Sequence, residues 1–241
     1  MTDQKSHSVV ITGASRGIGR NIAQAFARGT DFALLLIART KSDLKDTQTL
    51  CSNIGNNRIA IVPCDAVKGK SVKKIKLPKD FPTPKIIINN AGSFLLKSLQ
   101  KTTHEEFAQQ IEANLFSAVN ITNRFLDDLK NKSTSLIINI CSVGAVEGLG
   151  DSGAYSASKH ALLGYTRSLR KELIETEIGV TAINLGQTQS TSWEGSLIDR
   201  DLLIDPSDVA KIILNLTQLS PRTVVEEIIV KPQHGRVPPM Q

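Results

Sequence analysis

Residues 8–19 read Ser-Val-Val-Ile-Thr-Gly-Ala-Ser-Arg-Gly-Ile-Gly, an apolar β-branched run that breaks into a turn holding Gly13, Gly17 and Gly19. Val9, Val10 and Ile11 suit a strand buried on both faces, and the apolar spacing after Gly17 suits a helix. Three glycines at this spacing give backbone angles closed to other residues, let the main chain approach an anion, and bring helix against sheet. Free N–H groups and the positive helix end then face whatever binds, and a pyrophosphate fits that chemistry. Taken alone, the turn is equally a tight strand-to-helix connection with no ligand. Its place at the first such junction of an alternating chain favours dinucleotide binding.

Outward from that turn, strand-like runs alternate with amphipathic stretches. Strands are predicted over residues 8–12, 33–38, 58–63, 85–89, 135–140, 179–185 and 225–231, the pattern of a parallel sheet covered by helices on both faces. Helices are predicted over 17–29, 41–54 and 105–130, from about 152 with Gly179 as an end signal, and from Asp205-Pro206-Ser207, where a capping side chain precedes a first-turn proline. The 105–130 stretch follows Thr103, carries Glu105 and Glu106 in its first turn, and sets Phe107, Ile111, Leu115, Val119 and Thr122 along one helical face. Residues 68–79 read as a short, poorly defined crossover. The fold class is α/β, a Rossmann-like doubly wound seven-stranded parallel sheet. Residues 1–241 make one dinucleotide-binding and catalytic domain, because 241 residues supply one large core and are few for two.

Composition narrows the functional classes. A hydrophobic share of 40% and a charged share of 22% are ordinary for a globular chain, and no run approaches the roughly 18 apolar residues a membrane span needs. The polar opening with Asp3 has neither a secretory nor a transit character, so a cytoplasmic, membrane-free protein is expected. Cys51, Cys64 and Cys141 are odd in number and lack C-x-x-C spacing, so neither a disulfide frame nor a metal site is expected. The net charge of +6 is densest between Lys68 and Lys79, yet that stretch has no aromatics and no Arg for base reading. It reads as a solvated surface, with no nucleic-acid partner. The Pro238-Pro239 tail is expected to be irregular or packed against a neighbour.

The second strand ends at Ala38-Arg39-Thr40-Lys41, where an NAD-binding chain would present an acid to the ribose 2′-hydroxyl. No acid stands there. Arg39, backed by Arg16 and Lys41, either pairs with a 2′-phosphate through a charge-assisted bidentate contact or is a solvated loop cation; the first reading selects NADP over NAD. Further on, Tyr155-Ser156-Ala157-Ser158-Lys159 sets a phenol and an ammonium four residues apart on one helical face. A phenol with a pKa near ~10 exchanges protons poorly at neutral pH, and a neighbouring cation lowers that value. Ser142, just past the fifth strand, is placed to hydrogen-bond a substrate oxygen beside that phenol.

The Gly-x-x-x-Gly-x-Gly turn, Asn89-Asn90-Ala91-Gly92 after the fourth strand, and Tyr155 with Lys159 behind Ser142 occur in the order of the short-chain dehydrogenase/reductase family. From Val9 to about Lys231 the chain resembles that family. The resemblance implies a catalytic tetrad of Asn114, Ser142, Tyr155 and Lys159, with Asn114 holding a water in a proton relay. It implies NADP (NADPH) held by Gly13, Ser15, Arg16, Gly17, Ile18, Gly19, Arg39, Asp65, Asn90, Ala91, Gly92, Tyr155, Lys159 and Thr188, with Asp65 on the adenine amino group unless it merely caps a turn. Substrate would meet Ser142, Tyr155 and Trp193, the last equally readable as a packing residue. The implied activity is hydride transfer between NADP(H) and a carbonyl or secondary alcohol. The alternatives are a 3-oxoacyl-(acyl carrier protein) reductase and a non-catalytic NADP-binding regulator.

The resemblance also implies a homodimer or homotetramer built by pairing the helices around 105–130 and 152–175. One departure stands out: Leu185 replaces the proline of the usual Pro-Gly after the sixth strand, which leaves the backbone of the nicotinamide-side loop open. A fairly open, mostly apolar pocket with few cations is expected between Phe94, Leu95, residues 143–150 and Trp193. His160 points about 100° away from Lys159 around the helix and is expected to be structural or exposed. Cys141 is expected to face the core, away from Ser142.

Overall fold

A computed structural model of the protein describes residues 6–130, 134–193 and 195–238. In chain order the elements are β1 (His7–Thr12), α1 (Gly17–Gly29), β2 (Ala33–Ala38), α2 (Lys41–Ser52), β3 (Ile59–Pro63), α3 (Gly69–Val72), β4 (Thr83–Asn89), α4 (His104–Ile111), a π-helical turn (Glu112–Phe116), α5 (Ser117–Lys130), β5 (Ser135–Ser142), α6 (Gly153–Glu172), β6 (Ile178–Leu185), α7 (Pro206–Leu216) and β7 (Glu227–Val230). The seven strands form one all-parallel sheet in the order β3-β2-β1-β4-β5-β6-β7. Winding reverses between β1 and β4, and a sheet of this kind opens a crevice at that point, beyond the carboxyl ends of its strands.

The continuous apolar runs are explained by burial on both faces. Val9, Ile11, Leu34, Leu36, Ile86 and Ile88 pack with Ile22 and Phe26 of α1 and Val209 and Ile213 of α7. Their sequence neighbours Val10, Leu35, Ile37 and Ile87 pack on the other face with Ile121, Phe125 and Leu129 of α5 and Leu169 of α6. The period-2 alternation of a strand sends successive residues to opposite layers, so each layer requires its own apolar set.

Most boundaries lie within two residues of expectation, and three differences matter. Helix α6 ends at Glu172 rather than near Gly179. Gly179 lies inside β6, where an added Cβ would come within 3.2 Å of Leu136 Cδ1. The expected unbroken helix over 105–130 is split by the π-helical turn at Glu112–Phe116. Its buried face meets the apolar stripe only at Thr122: Phe107, Ile111, Leu115 and Val119 are half-buried, whereas Gln110, Asn114 and Ser117 point inward with Ala118 and Ile121. Those polar residues are stabilised inside by hydrogen bonds to the chain after β4 and to α6. Thr103 forms the capping box at α4, accepting from Glu106 N while Glu106 accepts from Thr103 N. Asp205 caps α7 through Ser207 N, ahead of Pro206.

Pro238 lies in an irregular segment, and Pro239 is outside the described residues. No helix of the described residues is long and apolar enough to cross a membrane.

Candidate active site

The glycine turn is braced from β4. Gly13 and Gly17 have φ of 63° and 54°, in the left-handed region that favours glycine. Asn90 Nδ2 donates to Thr12 O at 2.9 Å and Gly13 O at 3.4 Å, and the amides of Asn90 and Ala91 both donate to Thr12 Oγ1 at 3.0 Å. Gly19 is buried rather than facing the cleft; an added Cβ there would run into Gly13 O and Asn90 Nδ2. Arg20, which the sequence reading passed over, holds the turn from behind through Ser15 O and through Thr47 Oγ1 at 2.9 Å. Arg16, the N-cap of α1, gives no side-chain cap, so the first-turn amides remain available to a ligand.

A cleft of about 850 Å³ runs over the carboxyl ends of the strands. Apart from Gly19, every residue expected to hold cofactor, substrate or proton lines it. Arg16 and Arg39 are exposed at its rim, and among the described residues neither pairs with a carboxylate. Lys41 does not line the cleft. Asp43 does, and one of its carboxylate oxygens accepts from its neighbour Ser42. Asp65 Oδ1 accepts from Val67 N at 3.2 Å, so the turn-capping reading of Asp65 holds for one oxygen.

At the other end of the cleft, Ser142 closes β5 and lines the cleft with Tyr155; its Oγ accepts from Gly144 N at 3.0 Å. Lys159 is buried on the same face of α6, its Nζ 5.8 Å from the Tyr155 ring centroid and donating to Ile140 O at 2.8 Å. Within the chain itself the expected acidification of the phenol does not occur. Burial pushes Tyr155 up to about 12, against an opposing effect of Ser142. Burial also lowers the Lys159 ammonium, because desolvation disfavours the charged form of each group.

Asn114, in the π-helical turn, accepts from Ser93 N at 3.1 Å and donates to Ser93 O and Ser158 Oγ, both at 3.0 Å. An added Cβ on Gly92 would collide with Asn114 Oδ1 and lie 3.7 Å from Lys159 Nζ, so this glycine lets the Asn114 amide approach the chain beside Lys159. His160 is exposed, with Nδ1 2.9 Å from Ser156 O, and Cys141 packs among Ala118, Leu162 and Ala182. Both match expectation.

The pocket beside Tyr155 is only partly as expected. Phe94 meets Tyr155 edge-to-face at 4.9 Å and Trp193 at 5.8 Å, whereas Leu96 rather than Leu95 lines the cleft. Trp193 both packs and faces the pocket: its Nε1 donates to Thr188 O at 3.1 Å. The Thr188 hydroxyl donates to Gly186 O at 3.0 Å. Leu185 continues β6 in register with Ser142 and Val230, so the strand stays extended to its end without the proline.

The far wall is charged, not apolar. Lys231 Nζ lies 2.7 Å from Glu147 Oε1, and Arg236 Nη2 lies 2.5 Å from Asp151 Oδ2, and all four residues line the cleft. Sequence reasoning missed this wall because each pair joins residues more than 80 positions apart. The only local signal was the placing of two acids, Glu147 and Asp151, directly before Tyr155.

The chain is 28% identical to an uncharacterized oxidoreductase of Staphylococcus saprophyticus over 96% of this chain and all of that one. It is 28% identical to the ketoacyl reductase HetN of a Nostoc species, over 79% of this chain and 67% of the relative. Among solved structures, an alcohol dehydrogenase from the archaeon Thermococcus sibiricus, complexed with 5-hydroxy-NADP, superposes with a TM-score of 0.88 at 26% identity, covering 96% of this chain and 99% of that one. The family model described as short chain dehydrogenase matches residues 7–200, a span that begins at β1, contains the glycine turn and carries Ser142, Tyr155 and Lys159. The chain belongs to the short chain dehydrogenase family.

Proposed function

We propose that this oxidoreductase binds NADP(H) and interconverts a carbonyl group with a secondary alcohol, with Tyr155 as the proton donor and acceptor. The observation that carries the reading is the meeting of Ser142, Tyr155 and Lys159 in one cleft, which the glycine turn and the Arg16 and Arg39 guanidinium groups also line. The donor set suits a dinucleotide bearing an extra phosphate. Backbone amides of residues 13–19 would hold the pyrophosphate, Arg39 with Arg16 the 2′-phosphate, and Asp65 the adenine, while Asn90, Ala91, Gly92 and Thr188 flank the remainder. The 5-hydroxy-NADP in the archaeal alcohol dehydrogenase supports the same choice. When bound, the nicotinamide supplies hydride to a carbonyl carbon or takes it from an alcohol.

The chain's own contribution is to the oxygen. Ser142 orients the carbonyl oxygen, and Tyr155, protonated at neutral pH, gives it a proton as negative charge develops there. Lys159, anchored on Ile140 O, then stands beside the phenolate left behind and favours it electrostatically. Asn114, seated against Gly92 and facing the cleft with Lys159, would hold the water through which the proton is replaced. Phe94 and Trp193 keep water from the reacting face.

Stopped-flow absorbance of NADPH with a panel of ketones and aldehydes tests the reading. Wild-type protein should consume NADPH, and Tyr155→Phe should bind NADPH with turnover reduced 100-fold or more, in the range of a lost general acid. Binding without oxidation of NADPH by the wild type with any carbonyl would instead favour a regulator.

A further inference from the structure

We infer that the physiological substrate carries a carboxylate, which Arg236 binds after exchanging it for Asp151. This inference rests on the oxidoreductase reading above. The sheet order locates the wall. The Arg39 side of the cleft lies at β2 and the Lys231–Arg236 segment follows β7, five strand spacings or about 24 Å away. The segment bearing Arg236 therefore leaves the sheet on the opposite side of the cleft from Arg39. Ser142 ends β5, two spacings or about 10 Å from β7, the reach of a carbonyl compound of a few carbons.

The loop bearing Glu147 and Asp151 is tied to the turn that carries Tyr155. Ser156 Oγ is within hydrogen-bond distance of Gly144 O (2.7 Å) and Glu147 O (3.2 Å), and Asp151 lies four residues before the phenol.

The Arg236–Asp151 pair is not what holds the C-terminal segment. Gln187 does that: its Nε2 donates to Val237 O and its Oε1 accepts from Val237 N, both at 2.7 Å. Val237 also packs on Ile198 and Leu203. The guanidinium, 54% exposed in its side chain, can release Asp151 without freeing the segment, and exposed ion pairs stabilise little. Asp151 keeps a hydrogen bond from Ser152 Oγ at 2.9 Å and its contact with water.

The resident partner of Arg236 is itself a carboxylate, met through Nη2, so the exchange is like for like, and a substrate carboxylate can use the planar fork. Lys231 adds a second cation on the same wall. Two cations against two carboxylates make the wall neutral, so a monoanion is accommodated where a phosphate dianion would face both Glu147 and Asp151.

Trp193 is the single tryptophan of the chain and lines this cleft, so its emission reports binding directly. With NADP added, 3-hydroxybutyrate and its methyl ester are titrated against wild type, Arg236→Gln and Asp151→Asn, and kcat/KM is measured for the corresponding oxo acid and oxo ester. The expected result is acid binding at least tenfold tighter than ester binding in the wild type, a ratio that collapses toward one in Arg236→Gln. In Asp151→Asn, where the internal competitor is gone, acid binding should be tighter than in the wild type; a folding defect would not produce that gain. Equal acid and ester affinity in the wild type, or an acid-to-ester ratio unchanged by Arg236→Gln, would overturn the inference even if ketones are reduced. Carboxylate binding that follows this pattern, with no turnover of any carbonyl in the panel above, would support the inference while overturning the proposed reaction.

Discussion

Arg39 and Tyr155 show how much a single residue states about itself. That Arg39 replaces the usual acid is legible from its place at the end of the second strand, and its exposed position in the cleft lining, unpaired among the described residues, supports a phosphate partner. Arg39→Asp should lower affinity for NADPH relative to NADH by about 10- to 100-fold, since hydrogen bonds to charged groups contribute about 1.5–3 kcal/mol. Fluorescence titration with both nucleotides checks this, and an unchanged ratio would remove Arg39 from the role. For Tyr155 the sequence identified the phenol and its lysine but not the balance between them: burial raises the phenol to about 12. Reduction needs the neutral phenol, so its kcat/KM should stay level across neutral pH and fall only in alkali. Oxidation of the alcohol needs the phenolate and should climb from neutral toward alkaline pH. A pH profile in both directions tests the pair, and an oxidation rate that levels off near pH 7 would contradict it.

Among the elements, the glycine turn was readable because glycine spacing is a local property, while the reason for each glycine was not. Gly19 shapes the turn by letting Gly13 O and Asn90 Nδ2 fill the volume of a side chain. Gly19→Ala should therefore destabilise by about 1–3 kcal/mol, as overpacking does, seen as a melting temperature lower by ~2–4 °C per kcal/mol together with weakened nucleotide binding. A variant with unaltered melting and binding would show that the turn yields freely. The helix over 105–130 illustrates the opposite case. Helical periodicity located it, but the apolar stripe picked the wrong inward face, because Asn114 and Gln110 are held inside by partners more than 15 residues away.

For the whole molecule, that half-buried stripe and the 48% exposed Phe116 leave apolar surface on one side. If α4, α5 and α6 pair across a two-fold, light scattering at micromolar concentration should give a dimer or tetramer, and Phe116→Asp should shift it toward monomer; a monomeric wild type would count against the pairing.

Stability should also weaken in alkali. Burial raises Cys51 and Cys141 from 9.0 to about 11 and Tyr155 from 10.0 to about 12. The unfolded chain releases these protons at lower pH than the folded one does. Their contribution is thus complete below about pH 9 and is lost as pH rises through 9 to 12. Lys159, lowered by burial, acts in the reverse sense as a single group. Melting followed by circular dichroism from pH 7 to 11 should show a steady fall above pH 9, less steep in Cys51→Ala.

What the sequence determined by itself was whatever repeats locally: seven apolar runs, the helices between them, the glycine turn, and the Tyr155–Lys159 spacing on one helix. Side-chain periodicity and glycine angles are fixed by neighbours along the chain. Only the tertiary structure decided the burial that sets the Tyr155 proton affinity, the inward turn of Asn114, and the charged wall of Glu147, Asp151, Lys231 and Arg236. Those depend on which distant residues meet across the sheet, and desolvation and ion pairing act through space rather than along the backbone.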